Sequence, residues 1–185
     1  MFRPVSAELD FVHIEEAELA RWKANHVFER SMALRADAEP WVFYEGPPTA
    51  NGQPGLHHVW ARAFKDLFCR YQTMRGRFVA RRAGWDTHGL PVEVQVEKQL
   101  GISGKKDIEE KIGIEEFTRL CRESVLTYIG DFERLTERIA YWTDLNDAYY
   151  TFHPSYVESV WWHLKQLFDN GPVSYTHLDV YKRQG

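Results

Sequence analysis

Two adjacent histidines in Gly55-Leu56-His57-His58 open a long run with helical apolar spacing, and an aspartate, Asp86, follows a short apolar stretch farther along. Unpaired N–H groups at a helix start attract anions, and imidazoles placed there can donate hydrogen bonds to phosphoryl oxygens as charge builds in a transition state. The chemistry open to His57 and His58 is therefore phosphoryl stabilisation. Asp86 could hold a substrate ammonium by a charge-assisted hydrogen bond. Gly46, Gly52 and Gly55 let the backbone approach a ligand closely, and Pro47-Pro48 shapes that loop before a ligand arrives. Each residue also has a plainer use. One histidine can cap the helix while the other packs, and Asp86 can be the N-cap of the next helix. Trp85 and His88 read as packing residues, and Arg75, Arg77, Arg81 and Arg82 as a solvated charged face rather than an RNA contact.

These residues need a frame to hold them. Trp41-Val42-Phe43-Tyr44 is short, apolar and β-prone, and it runs into Gly46-Pro47-Pro48, which cannot continue a ladder. It reads as a central parallel strand ending in a loop. Over residues 57–75, Val59, Trp60, Ala63, Phe64, Leu67, Phe68 and Tyr71 keep the i, i+4, i+8 spacing of a buried helix face, and Gly76 ends the run. Phe78-Val79-Ala80 then reads as a second strand, with Gly84-Trp85-Asp86 as the loop after it. The result is a right-handed βαβ unit, which takes its ligand at the carboxyl ends of the strands. Ile14, Ala17, Leu19, Trp22, Val27 and Phe28 mark one N-terminal helix, with Glu15, Glu16 and Glu18 in its first turns. Further helices are expected near residues 91–100, 107–111, 115–138 and 154–168, the last closed by Asp169-Asn170-Gly171. The fold class is α/β, without internal repeats.

With 185 residues, 44% hydrophobic and 15% aromatic, the chain can bury a core of its own. A net charge of -4 announces no polyanion partner. Cys69 and Cys121 lie far apart and in no metal-ligand spacing, so both are expected as free thiols. No apolar run approaches a membrane span, and no basic-then-apolar leader follows Met1, so a soluble intracellular protein is expected.

Singly these signals are weak, but jointly they are specific. PPTANG, the histidine motif, ARAFKD, GWDTHGLPVE, CRESV, TERIAYWTDL and YVESVWWHLKQLF together resemble an isoleucyl-tRNA synthetase over almost all of residues 2–171. Valyl enzymes carry a different proline-rich loop and a TDHAG-type second motif, and leucyl enzymes open with a shorter Pro-Ser-Gly turn. The resemblance implies the first half of a class I synthetase Rossmann-like (HUP) parallel-sheet catalytic domain with an N-terminal helix. Residues 1–40 would be the helical extension and residues 41–172 the half-domain, up to the start of an editing insertion. The implied activity is ATP-dependent activation of isoleucine to the adenylate and its transfer to tRNA-Ile in the cytoplasm. Mg2+ would accompany ATP, with no metal site in this segment. The partners would be isoleucine, ATP and, mainly through regions beyond this segment, tRNA-Ile; no membrane is implied, and the full-length enzyme would be a monomer. Carried over by position, His57 and His58 would be catalytic. Pro48, Thr49, Asn51, Gly52, Gly55, Leu56, His57 and His58 would bind ATP, while Gly46 and Pro47 would meet isoleucine and Asp86 its α-ammonium.

Two features depart from that family. Its usual His-x-Gly-His motif reads Gly55-Leu56-His57-His58, so only His58 keeps its place; the number of imidazoles is conserved while one of them moves. The second is the end of the chain. Val173 to Gln184, VSYTHLDVYKRQ, can be encoded by DNA that is nearly its own reverse complement and resembles two joined transposon-type sequencing adapters. Residues 173–185 are therefore expected to be non-native, and the chain a truncated, inactive piece that lacks the family's Lys-Met-Ser-Lys-Ser loop. The competing readings are a valyl-type branched-chain synthetase fragment and a non-catalytic nucleotide- or RNA-binding module.

Overall fold

The computed structural model describes residues 8–171, so the adapter-like residues 173–185 lie outside the described residues. The chain opens with α1 (Phe11–Ala24), which starts where the Asp10 side chain accepts a hydrogen bond from the His13 amide at 3.1 Å. One N-terminal helix was expected, but there are two. At His26 the backbone takes a left-handed turn (φ 49°), and α2 (Val27–Ala33) begins on the far side of it. After an extended stretch come α3 (Leu56–Met74), β1 (Arg82–Trp85), α4 (Leu90–Leu100), the short α5 (Gly104–Asp107) with a π-helical turn over Ile108–Ile112, α6 (Ile114–Arg138), β2 (Asp144–Tyr150) and α7 (Pro154–Asp169).

β1 and β2 run parallel, joined through α4 to α6, which agrees with the α/β reading. Arg82 faces Asp144 across the pair, and then Gly84 faces Tyr149 and Trp85 faces Tyr150. Two steps along β1 thus match five along β2. The Asp144 carboxylate takes up the excess, accepting from the amides of Asn146 at 2.9 Å and Asp147 at 3.3 Å. Before and after β1, among the described residues, the chain makes only isolated parallel bridges with an earlier segment, Pro40 with Phe78 and Thr49 with Asp86. Residues 41–44 form no strand, contrary to expectation. Pro40, Pro47 and Pro48 lack N–H donors, and Val42 and Tyr44 project into solvent. The second strand also lies later than its apolar letters suggest, at Arg82–Trp85 rather than residues 78–80, and it includes Gly84. Glycine fits there for a packing reason: a Cβ on it would fall 2.2 Å from the Tyr149 ring.

α6 lies against α4, and the core forms between them and β1 from Ala50, Trp85, Val92, Val125, Ile129 and Phe132. Burying a large apolar side chain of this kind contributes about 1.5–3 kcal/mol. α3 departs from the expected facing. Its buried residues are Arg62, Cys69 and Thr73, while Trp60, Phe64, Leu67, Phe68 and Tyr71 are at least half exposed. The helix meets the chain segments that flank the strands with its polar side, through Glu45, Arg81, Ala140 and Trp142.

Candidate functional site

Asp86 stands at the carboxyl end of β1, between two neighbouring chain segments. Its backbone amide donates to the Pro48 carbonyl at 3.0 Å and its carbonyl accepts from Ala50 at 3.3 Å, which tethers the proline-rich loop. Its carboxylate accepts from the Thr49 hydroxyl at 2.9 Å and, at 3.4 Å, from the Thr151 hydroxyl just beyond β2. Asp86 does not cap the next helix; Gly89 occupies that position. Thr151, buried and without any motif around it, also meets His88 Nδ1 at 2.6 Å and accepts from the Thr87 amide at 2.9 Å. Three parallel runs of chain therefore end on one half-buried carboxylate.

The histidine pair sits at the start of α3. Gly55 is its N-cap and donates its amide to His58 Nδ1 at 2.9 Å, while the His58 amide donates to the Gly55 carbonyl at 3.0 Å. Because Nδ1 accepts, the neutral ring carries its proton on Nε2 and presents a donor there. Burial, then the nearby charges of His57 and Arg62, hold the His58 pKa below its ordinary value. His57 is exposed, its ring 3.8 Å from that of His58. A Cβ on Gly55 would lie 3.0 Å from His57 Cε1 and Nδ1, so the glycine at 55 and the histidine at 57 fit each other sterically. Arg62, one turn on, is buried with no partner for its Nε; its guanidinium lies 5.5 Å over the Phe132 ring and 5.9 Å over the Tyr141 ring.

The structure brings Thr49, Pro48 and Asp86 together, and separately Gly55, His57 and His58. No hydrogen bond joins the two groups. Aromatic contacts do: His58 meets Phe132 edge-on at 4.8 Å, and Phe132 meets Trp85, next to Asp86, at 6.0 Å. Asn51 reaches the Pro91 carbonyl at 3.4 Å, Gly52 has open space around it, and Leu56 is exposed. Just before Gly46-Pro47 the Glu45 carboxylate bonds Lys65 and the Tyr141 hydroxyl. Sequence reading passed over both Glu45 and Thr151. For Glu45 a signal existed, an acid directly before a Gly-Pro-Pro loop; for Thr151 there was none.

Cys69 is buried and Cys121 half-buried, both as free thiols; burial pushes the Cys69 pKa up to about 11. Among the described residues, no group of three or more His, Cys, Asp or Glu could hold a metal ion, and no helix is long and apolar enough to cross a membrane.

Comparison with known proteins gives this geometry a family. The chain is 56% identical over 170 residues, 92% of its length, to an isoleucine–tRNA ligase of Streptomyces avermitilis, and 54% identical over 180 residues, 97% of its length, to that of Thermus thermophilus. It spans only 16% and 17% of those relatives. Its fold is similar to the agnB2 LeuRS of Agrobacterium radiobacter K84, solved in a ternary complex with tRNA and LeuAMS; the TM-score is 0.60 at 18% identity, covering 88% of this chain and 18% of that one. The family model described as tRNA synthetases class I (I, L, M and V) matches residues 17–181, and the chain belongs to that family.

Proposed function

We propose that this chain is the amino-terminal part of the catalytic domain of an isoleucine–tRNA ligase, which activates isoleucine with ATP and passes it to tRNA-Ile. The observation that carries the reading is the meeting of Thr49, Asp86 and Thr151 where three parallel runs of chain end. A ligand of an open α/β sheet belongs at that edge. Asp86, pre-oriented by two hydroxyls, would hold the α-ammonium of isoleucine, with Gly46 and Pro47 against its side chain. The isoleucine carboxylate then attacks the α-phosphorus of ATP in line, and pyrophosphate leaves. The protein's part is to position the reactants and to stabilise phosphoryl charge. His58, a donor through Nε2, and His57 would face that charge, while residues 48–56 cradle the nucleotide. Magnesium would come with ATP as the counterion of its phosphates.

His57 takes over the donor role of the imidazole that the family usually has at position 55. The close fit of Gly55 to His57 favours a paired exchange. In the full-length gene product Gly55→His with His57→Gly should keep adenylate formation, and His57→Ala alone should cripple it. A His57→Ala enzyme as active as the parent in isoleucine-dependent pyrophosphate exchange would end this idea. The same assay, run with isoleucine against valine, tests the function itself: strong dependence on isoleucine is expected, and a preference for valine would turn the reading to a valyl enzyme. One methylene in a hydrophobic pocket is worth only about 1–3 kcal/mol, so some valine activation is expected beside it.

The domain division follows from the same reading. Residues 1–40 would be the helical extension and residues 41–172 the first half of the nucleotide fold, up to the start of an editing insertion. We read residues 173–185 as a non-native sequencing-adapter tail, although the family match runs on to residue 181. The exposed apolar stripe of α3 suits a face covered by the remainder of a protein several times longer. The full-length enzyme works as a cytoplasmic monomer.

A further inference from the structure

Three separate parts of the chain converge on Glu45, the residue that leads into Gly46-Pro47-Pro48. From α3, Lys65 Nζ reaches the Glu45 carboxylate and also donates to the Gly46 carbonyl at 3.2 Å. From the turn after α6, the buried Tyr141 donates its hydroxyl to the other carboxylate oxygen. From β2, the Tyr149 hydroxyl donates to the Glu45 backbone carbonyl at 2.9 Å. The Glu45 side chain is only 4% exposed. A buried carboxylate is costly unless paired and hydrogen-bonded, and here both of its oxygens are used.

The reach of Tyr149 is itself prepared. Its ring lies across Gly84 of β1, where any Cβ would fall 2.2 Å from it, and it stacks on Tyr156 of α7 at 5.8 Å with the planes 2° apart. Stacking fixes the ring, and the missing Cβ opens its path. The chain on either side is tied by backbone bonds, Trp41 to Phe78 and Pro48 and Ala50 to Asp86, and between these ties the cluster on Glu45 supplies the hold that residues 42–47 do not get from strand pairing.

We propose that Glu45 is the positioning residue of the isoleucine pocket: clasped by Lys65, Tyr141 and Tyr149, it sets where Gly46 and Pro47 stand against the substrate side chain. The proposal rests on the functional reading above. Glu45 touches no reacting atom in this scheme, and its effect on the substrate passes entirely through the loop.

The test uses the full-length gene product with Glu45→Gln and Tyr149→Phe. Amide hydrogen exchange over residues 46–52 should quicken at least tenfold in Glu45→Gln and less in Tyr149→Phe, with α4 unchanged. The buried Ala50 amide, bonded to Asp86, is the reporter of choice. In isoleucine-dependent pyrophosphate exchange, KM for isoleucine should rise about tenfold in Glu45→Gln while kcat stays within about threefold. A merely structural role would lower the amount of active enzyme, and hence apparent kcat, at unchanged KM. Loop exchange like the parent's, or an unmoved KM for isoleucine, overturns the proposal. If Glu45→Gln does not fold, Tyr149→Phe, which loses one hydroxyl, decides on the same two readouts. A parent without isoleucine-dependent exchange would instead sink the functional reading, and the loop measurement would still judge whether Glu45 holds the loop.

Discussion

The two sides of α3 invert the usual rule for a helix on a sheet. The inner side carries His58, Arg62, Lys65, Asp66, Cys69 and Thr73, polar or titratable groups that are nonetheless buried or half-buried and mostly bonded. The outer side carries Trp60, Phe64, Leu67, Phe68 and Tyr71, which stand in solvent. A globular helix normally turns its apolar stripe inward. The inner side of α3 has been given over to holding loops and strands in place, and its apolar side awaits another surface. Charge, not hydrophobic contact, ties this helix to its own domain.

The sharpest way to break that comparison is to remove the inner anion. Asp66 holds Arg70, lies 3.5 Å from the Arg81 guanidinium, which is 1% exposed, and accepts from the Trp142 amide at 3.4 Å. Asp66→Ala leaves the buried Arg81 with its hydrogen bond to the Thr73 hydroxyl at 2.7 Å but without a counter-charge, and the expected loss is about 3–5 kcal/mol. Urea denaturation measures it. A loss below about 1 kcal/mol would mean that the inner side is held by something other than its ion pairs.

A smaller effect comes from protonating His58. Its pKa in the folded protein lies below the ordinary 6.5, so the unfolded chain takes up that proton more readily. The stability this provides is complete above about pH 6.5 and is lost as the pH falls through the lowered value. Denaturation midpoints should therefore decline on acidification from pH 7, and His58→Gln should decline less. Parallel pH curves for the two proteins would remove His58 from the account.

The smallest effect belongs to the outer side. Leu67→Glu with Phe68→Glu should change the stability of the 185-residue chain by less than about 0.5 kcal/mol per site, because both side chains are already wet. Light scattering should report less self-association. In the full-length gene product the same pair should be several times more damaging. Equal tolerance in both settings would mean that nothing covers this side.

Much of this was legible from residue order. Helical spacing and Gly76 located α3 to within one residue at each end, and the Gly-Pro-Pro loop and Asp86 were recognised as neighbours of a strand edge. Spacing reports that a helix has an apolar side, but not what that side will meet. The stripe of α3 was therefore expected inside and lies outside. Strand positions slipped for a related reason. Apolar letters at residues 41–44 and 78–80 suggested ladders, whereas pairing needs a partner in register, and those stretches meet only at the Pro40–Phe78 bridge while Arg82 to Trp85 find β2. Thr151 was invisible because its role arises only where β2 ends beside β1.

The uneven pairing of β1 with β2 carries a further consequence. Between Asp144 and Tyr149 the chain spends three residues more than its neighbour needs, and beyond that slack the strands are back in step, Gly84 with Tyr149 and Trp85 with Tyr150. With this pairing Tyr150 packs on the core and Tyr149 reaches Glu45. The irregular stretch stands outside the regular ladder, so a residue lost at the exposed Asn146 or Asp147 can be absorbed there while both pairs are kept. A residue lost at Tyr149 or Tyr150 cannot be absorbed, because it would put the wrong side chain on Glu45 or open the core.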